Sequence, residues 1–302
     1  MAGTKEIKNH IASVQDTRKI TNAMYLIAST KLRKAKAELD KTRPYFTALQ
    51  AEVKRIFRSL EKTESRYLLP KRNSASTAGC WGCLVISADK GLAGAYNSNA
   101  LKAAEAIMEK HPDTRLFVVG EFGRQYFRRR KTPLEADFNF SSQSPTIERA
   151  RMIAHRLLEL YDRGELSRIY IVYTNMENSF SVESRTFRLL PLHKDHFGAP
   201  EGEMEIHTPF EFVPSAEAVL ENVIHSYISG FIYSALVDSF CCEQNERMRA
   251  MDSANQNAEK ILDELSIQYN RLRQGAITQE ITEISAGARA QRQRDTKEVP
   301  QT

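Results

Sequence analysis

The last third of the chain carries a long helical pattern of apolar positions, from Pro214 to Ala290. Apolar residues recur there at steps of three and four, and this spacing predicts a helix that winds on another helix. The apolar stripe pauses after Leu236 and resumes at Met248. At 1.5 Å per residue, a helix of this length would measure roughly 110 Å. Because the core of a compact domain does not need so long a helix, the pattern favours a shaft.

A second helical pattern covers the start of the chain. Residues 4–43 are predicted to form a long helix, and Pro44 could bend it, but the apolar period continues to Leu60. Residues 1–43 carry ten Lys/Arg against four acids, whereas 214–290 carries six Lys/Arg against eleven acids. Opposite charges favour pairing of the two chain ends as an antiparallel coiled coil. The alternative is two ordinary amphipathic helices packed on a globular core.

The middle of the chain changes period after a polar linker at 61–79. Short apolar runs predict strands at 82–87, 115–119, 169–173 and 186–190, with a weak strand at 136–140. Helical segments are predicted at 97–110, 121–130 and 146–162. This alternation is typical of βαβ units and a mostly parallel sheet. The predicted fold is therefore an α/β domain inserted between N- and C-terminal long helices that form an antiparallel coiled coil. The domain bounds are 1–61 (N-terminal helix), 79–208 (α/β domain, with a variable loop at 193–208), 209–290 (C-terminal helix) and 291–302 (flexible tail).

The obvious place for chemistry is the loop Asp89–Asn97, which follows the first strand and precedes a helix. Sheets of α/β domains bind ligands at such strand ends. However, the loop has neither GxxxxGK[ST] nor GxGxxG, so nucleotide binding is not favoured. The histidines form no i, i+4 pair. Cys80 and Cys83 have the spacing of a redox motif, but they precede a strand-like run, whereas a redox pair opens a helix after a strand. A zinc site needs a second spaced pair, which the adjacent Cys241 and Cys242 cannot readily supply. We therefore predict no catalytic, cofactor-binding or metal-binding residues.

Composition adds little to this picture. The 302 residues are 41% hydrophobic, and the net charge of +5 permits an acidic partner without establishing one. No segment approaches the ~18 uninterrupted apolar residues of a membrane span. The first residues lack the apolar core of a signal peptide, so a cytoplasmic location is expected.

Four segments carry a resemblance to a known family. They are KEIKNHIASVQDTRKITNAM near the start, DKGLAGAYNSN in the middle, and ERMRAMDSANQNAEKIL and YNRLRQGAITQEITEISAGARA near the end. Together they resemble the gamma subunit of F-type ATP synthases. The resemblance implies a non-catalytic rotor stalk that turns inside the ring of alpha and beta subunits, without a cofactor. It also implies contacts with epsilon and the c ring, at the cytoplasmic face of the cell membrane.

The resemblance further implies which residues contact the beta subunit. Arg273, Gln274 and Thr278 resemble polar contacts of the family's C-terminal helix with a loop of beta. Met24, Arg247 and Met248 match the region where the two long helices meet under an acidic part of beta. Lys90 and Ala93 belong to a loop, 89–95, that is expected to face the bottom of the catalytic ring. For the two methionines, packing in the coiled-coil core is the alternative explanation.

Two other classes of function stay open at this point. A nucleic-acid-binding protein with a basic N-terminal arm would explain the net charge, but the acidic partner helix would repel phosphate. An α/β domain that acts as an enzyme is the third hypothesis, and a nucleotide bound on purification would support it.

Overall fold

The computed structural model describes residues 2–59, 66–68, 79–176, 182–192, 213 and 216–297. Its contacts divide the chain into two compact units, 1–26 with 251–302 and 27–250. The elements, in chain order, are α1 (Ala2–Ser59), β1 (Cys80–Ile86), α2 (Tyr96–Lys110), β2 (Arg115–Val119), α3 (Glu121–Arg129), α4 (Ile147–Asp162), β3 (Leu166–Met176), β4 (Val182–Leu190) and α5 (Ala216–Lys297). The prediction of two long terminal helices around a sheet domain is confirmed.

The four strands form one sheet in the order β2-β1-β3-β4. Strand β1 pairs in parallel with both β2 and β3, whereas β4 pairs antiparallel with β3. Central β1 reads Cys-Trp-Gly-Cys-Leu-Val-Ile, and Cys83–Ile86 are completely buried or nearly so. A continuous apolar run is what a strand covered on both faces requires.

The prediction of a weak strand at 136–140 is wrong. This segment contributes only isolated bridges, between Val119 and Phe140 and, just before it, between Leu116 and Leu134. Its sequence, Ala-Asp-Phe-Asn-Phe, places Asp137 in the left-handed region at φ 59°, which interrupts an extended strand. The two phenylalanines still pack inward, since Phe138 is buried and stacks edge-on against Phe117.

Within residues 27–250, the main core lies between the sheet and the long helices. Apolar faces of α1 (Leu32, Ala35, Val53) and α5 (Ile224, Ile228, Ile232) pack with α4 and one face of the sheet. Full burial of one such Leu, Ile or Val side chain contributes about 1.5–3 kcal/mol. A smaller cluster on the other face joins α2 to the sheet through Leu101 and Ala104.

In the other unit, the first part of α1 pairs with the last part of α5. Arg18 forms a 3.4 Å ion pair with Glu259, and the Thr21 hydroxyl donates to the side-chain oxygen of Asn255. Increasing numbers on α1 meet decreasing numbers on α5, so the pairing is antiparallel. Met251, Ala258 and Leu265 are buried on α5 at the spacing of seven that a coiled-coil seam requires.

Helix bounds differ in part from the sequence prediction. Helix α1 continues through Pro44 to Ser59, and α5 continues to Lys297, seven residues into the predicted flexible tail. Residues 291–297 contain no Pro or Gly, which is why the helical backbone can extend there. The variable loop 193–208 and most of the linker 61–79 lie outside the described residues, so the domain limits stay a prediction.

Candidate functional site

The loop after β1 is built around Asp89, whose carboxylate is already used inside the fold. It accepts hydrogen bonds from the backbone N–H of Glu121 at 2.9 Å and of Ser142 at 3.4 Å, and from the Ser141 hydroxyl. Glu121 is the first residue of α3, so Asp89 satisfies an N–H that the helix itself leaves unpaired. The carboxylate therefore joins three segments rather than facing a ligand.

Sheets of α/β domains bind ligands in a crevice at the carboxyl ends of their strands. With the strand order observed here, this crevice lies between the carboxyl ends of β1 and β3. Helix α5 fills this place. The Ser239 hydroxyl accepts from the Thr174 backbone N–H at 3.1 Å, and the Cys242 thiol donates to the Thr174 carbonyl at 3.6 Å. Cys242 also packs with Ala88, Ala93 and Tyr96. Among the described residues, the space that a nucleotide would occupy is thus taken by the protein's own side chains.

A buried ion pair joins the same loop to α5. Arg247 Nη1 lies 2.6 Å from Glu243 Oε1, while Nη2 donates to the carbonyls of Lys90 at 3.3 Å and Gly91 at 3.1 Å. The Glu243 side chain is completely buried, and that of Arg247 is 10% exposed. Burial raises the pKa of the Glu243 carboxyl, and Arg247 opposes that shift. A guanidinium with several donors can serve one carboxylate and two carbonyls at once.

The outer side of the loop presents few side chains to solvent. Lys90 is exposed, and Leu92 is 64% exposed with a left-handed backbone at φ 62°. Ala93 is buried, which is the opposite of what a direct partner contact through its methyl group would need. Gly94 also has a positive φ of 52°, and a Cβ there would lie 3.1 Å from Glu246 Oε2.

The predicted contact residues fall in two places. In unit 27–250, Arg247 is buried and Met248 packs half-buried against the main core. In the other unit, Met24 is half-buried, whereas three residues of α5 are exposed: Arg273, Gln274 and Thr278. The Thr278 hydroxyl donates to the Gln274 carbonyl of its own helix at 2.9 Å. Their contacts with beta stay predictions.

Sequence reasoning missed the polar residues that fix this loop. Glu243 was not singled out, and Asn97 was named only as the end of the loop Asp89–Asn97. The Asn97 side chain instead accepts from the Ala88 N–H at 2.9 Å and donates to the Lys90 carbonyl at 3.4 Å. The signal was the pause in the apolar stripe of α5, where five buried polar residues stand: Ser239, Glu243, Gln244, Asn245 and Arg247.

Comparison with known sequences identifies the family. The family described as "ATP synthase" matches residues 3–291. An ATP synthase gamma chain of Caldanaerobacter subterraneus is 40% identical over 294 residues, covering 95% of this chain and 99% of that protein. One of Ruminiclostridium cellulolyticum is 38% identical, covering 95% of this chain and 98% of that protein. The chain belongs to the ATP synthase gamma-chain family.

Solved structures share the fold of this gamma-chain family. A chain of the Euglena gracilis mitochondrial ATP synthase, in a structure of OSCP, F1 and the c-ring, has a TM-score of 0.67 at 16% identity, covering all of this chain and 98% of its own. A chain of the Tetrahymena thermophila central stalk and c-ring has a TM-score of 0.55 at 21% identity, covering 78% of this chain and 99% of its own. Within the part of this chain that the structure describes, every helix falls short of the apolar length that a membrane span needs.

Proposed function

We propose that this chain is the central rotor stalk of an F-type ATP synthase and performs no chemistry itself. It turns with the c ring, inside the ring of alpha and beta subunits, and its unequal faces shift the conformational equilibrium of each catalytic site in turn. The complex sits peripherally on the cytoplasmic face of the cell membrane, with epsilon as a further partner. Membership of the gamma-chain family over residues 3–291 carries this proposal.

The surface of α5 within the unit formed by residues 1–26 and 251–302 supports the rotor proposal. Five isoleucines on this helix are exposed although they are large and apolar: Ile261, Ile267, Ile277, Ile281 and Ile284. Exposed apolar residues that recur along one element indicate a surface covered by a partner. A sleeve formed by other subunits would cover them while it allowed the helix to turn. Nothing in the comparisons favours the nucleic-acid alternative.

The filled crevice at the carboxyl end of β1 supports a non-catalytic role. We expect the purified chain alone to bind Mg-ATP with a Kd of about 1 mM or weaker. This corresponds to a binding free energy of about 4 kcal/mol or less in magnitude. Isothermal calorimetry of the full chain with Mg-ATP measures this directly. Micromolar binding, or ATP hydrolysis by the chain alone, would support the enzyme hypothesis instead.

The contact of α5 with beta is tested by Arg273→Leu with Gln274→Leu. Both side chains are exposed, and leucine is a good helix former, so the helix should persist. A charge-assisted contact made in one rotational state contributes about 1.5–3 kcal/mol. We expect alpha and beta to co-purify as before, while ATP-driven proton or sodium pumping falls several-fold.

The control for this experiment is Gln268→Leu with Arg271→Leu, the same residue types in exposed positions on the same helix. It should leave pumping close to the wild-type level. Equal losses in both double variants would show that added surface leucine, not a lost contact, is the cause. Failure of the wild-type chain to co-purify with alpha and beta would reject the rotor assignment itself.

A further inference from the structure

The Arg247 guanidinium makes three hydrogen bonds within unit 27–250. It binds Glu243 Oε1 through Nη1 at 2.6 Å and two loop carbonyls, those of Lys90 and Gly91, through Nη2. The residue is only 8% exposed. If this side chain left for a partner's acidic group, the completely buried Glu243 carboxylate would lose its counter-charge and keep only the Gln244 amide as a donor, which is strongly unfavourable.

The loop is held at its start by Asp89, which bonds to Glu121 and Ser142, and its middle depends on contacts from other elements. Leu92 and Gly94 both adopt positive φ, and Leu92 is largely exposed. Non-glycine residues are uncommon in this region, and they persist where surrounding contacts enforce the conformation. Two side chains supply such contacts from either side of the loop: Arg247 from α5, and Asn97 from the start of α2.

We propose that Arg247 is a positioning residue: with Glu243 it fixes loop 89–95 on α5, so that Lys90 and Leu92 meet a partner subunit in one orientation. The identity of the partner subunit in this inference rests on the proposed rotor function. The role of Arg247 in holding the loop is independent of that function. Arg247 thus acts on beta through the loop and not by direct contact. An arginine is needed because a lysine nitrogen cannot bind the carboxylate and both carbonyls with the same geometry.

The first experiment measures hydrogen exchange of the full-length chain. Two amides report the loop, because Ala88 N–H bonds to Asn97 and Tyr96 N–H bonds to the Ala93 carbonyl at 3.1 Å. We expect Arg247→Gln to accelerate exchange in peptides covering 88–96 at least tenfold. Arg247→Lys should give an intermediate increase. Arg271→Gln is the control, because Arg271 is exposed and lies 24 residues after Arg247 on α5, so it should leave the loop unchanged.

The second experiment separates positioning from contact. Asn97→Ala loosens the same loop from its other side without altering Arg247. Assembled complexes with alpha and beta are compared for subunit content and for ions pumped per ATP hydrolysed. If Arg247 acts through the loop, Asn97→Ala and Arg247→Gln both lower this ratio by a similar factor, and the double variant is little worse than either.

Two results would overturn the proposal. The first is a lowered pumping ratio in Arg247→Gln with loop exchange unchanged, which would make Arg247 a direct contact. The second is a loosened loop in both variants with normal pumping, which would make loop rigidity irrelevant to coupling. If Arg247→Gln fails to fold, Arg247→Lys and Asn97→Ala carry the same comparison. If the wild-type chain does not assemble with alpha and beta, the rotor function fails, and hydrogen exchange alone still decides whether Arg247 holds the loop.

Discussion

Glu243 is a carboxylate without solvent exposure in the part of α5 that also buries Ser239, Gln244, Asn245 and Arg247. Desolvation of a lone charge there would cost several kcal/mol, and the 2.6 Å contact with Arg247 offsets much of it. Its second oxygen, Oε2, is buried without a hydrogen-bond partner. Such a pair contributes little net stability compared with an apolar replacement. Its role at the residue scale is therefore to fix geometry.

The cysteines give a residue-scale prediction that follows from burial. Burial raises the pKa of both Cys83 and Cys241 to about 12, and it also raises the pKa of Cys242. The thiolate is the reactive form, so these three thiols stay protonated and unreactive at pH 8. We expect iodoacetamide to modify the folded chain at Cys80, which is partly exposed, and not at the other three. Mass spectrometry of the labelled peptides checks this, with urea-unfolded protein as the control in which all four react.

Helix α1 is notable at the element scale because it includes Pro44 in its interior. Proline there removes an N–H that would bond to the carbonyl four residues earlier and crowds that carbonyl, at a cost of ~3 kcal/mol in an ordinary helix. The apolar faces on either side, at Ala35 and Val53, are both buried in the main core. Tertiary packing therefore keeps the helix continuous where propensity alone would end it.

This gives a prediction for Pro44→Ala. Pro44 is exposed, so the replacement should relieve the backbone cost without opening a cavity. We expect the free energy of unfolding to increase by about 1–3 kcal/mol, seen as a higher Tm in calorimetry. Thr47→Ala, an exposed position one turn later, is the control and should change stability by less than about 1 kcal/mol. A lower Tm in Pro44→Ala would mean that the native helix depends on the proline.

At the scale of the whole molecule, the two ends of the chain meet in one unit, as opposite charges and apolar seams predicted. Register is set there by Arg18 with Glu259 and by Thr21 with Asn255. One helical turn beyond Thr21 lies Met24, and one turn before Asn255 lies Met251. The pairing thus agrees with a layer that includes Met24 and Met251; the contact of Met24 with Met248 stays a prediction.

Disulfide formation tests this register. In a background without the native cysteines, Thr21→Cys with Asn255→Cys should cross-link readily. Thr21→Cys with Leu262→Cys is the displaced control, because seven residues move the partner about 10 Å along the helix, beyond disulfide reach. Equal yields from both pairs, measured on non-reducing gels, would reject the antiparallel register.

The sequence alone determined the long terminal helices, the positions of the four strands along the chain and the family, because each depends on local periodicity or on contiguous motifs. Only the tertiary structure showed which of the predicted contact residues are buried in contacts within the protein itself. Ala93 lies in a predicted contact loop, yet it is buried against Cys242. Arg247 was predicted to contact beta, yet it bonds to the carbonyls of Lys90 and Gly91, which lie more than 150 positions away in the chain. Contacts over such separations leave no periodic trace, so only the fold reveals that this charge is directed inward.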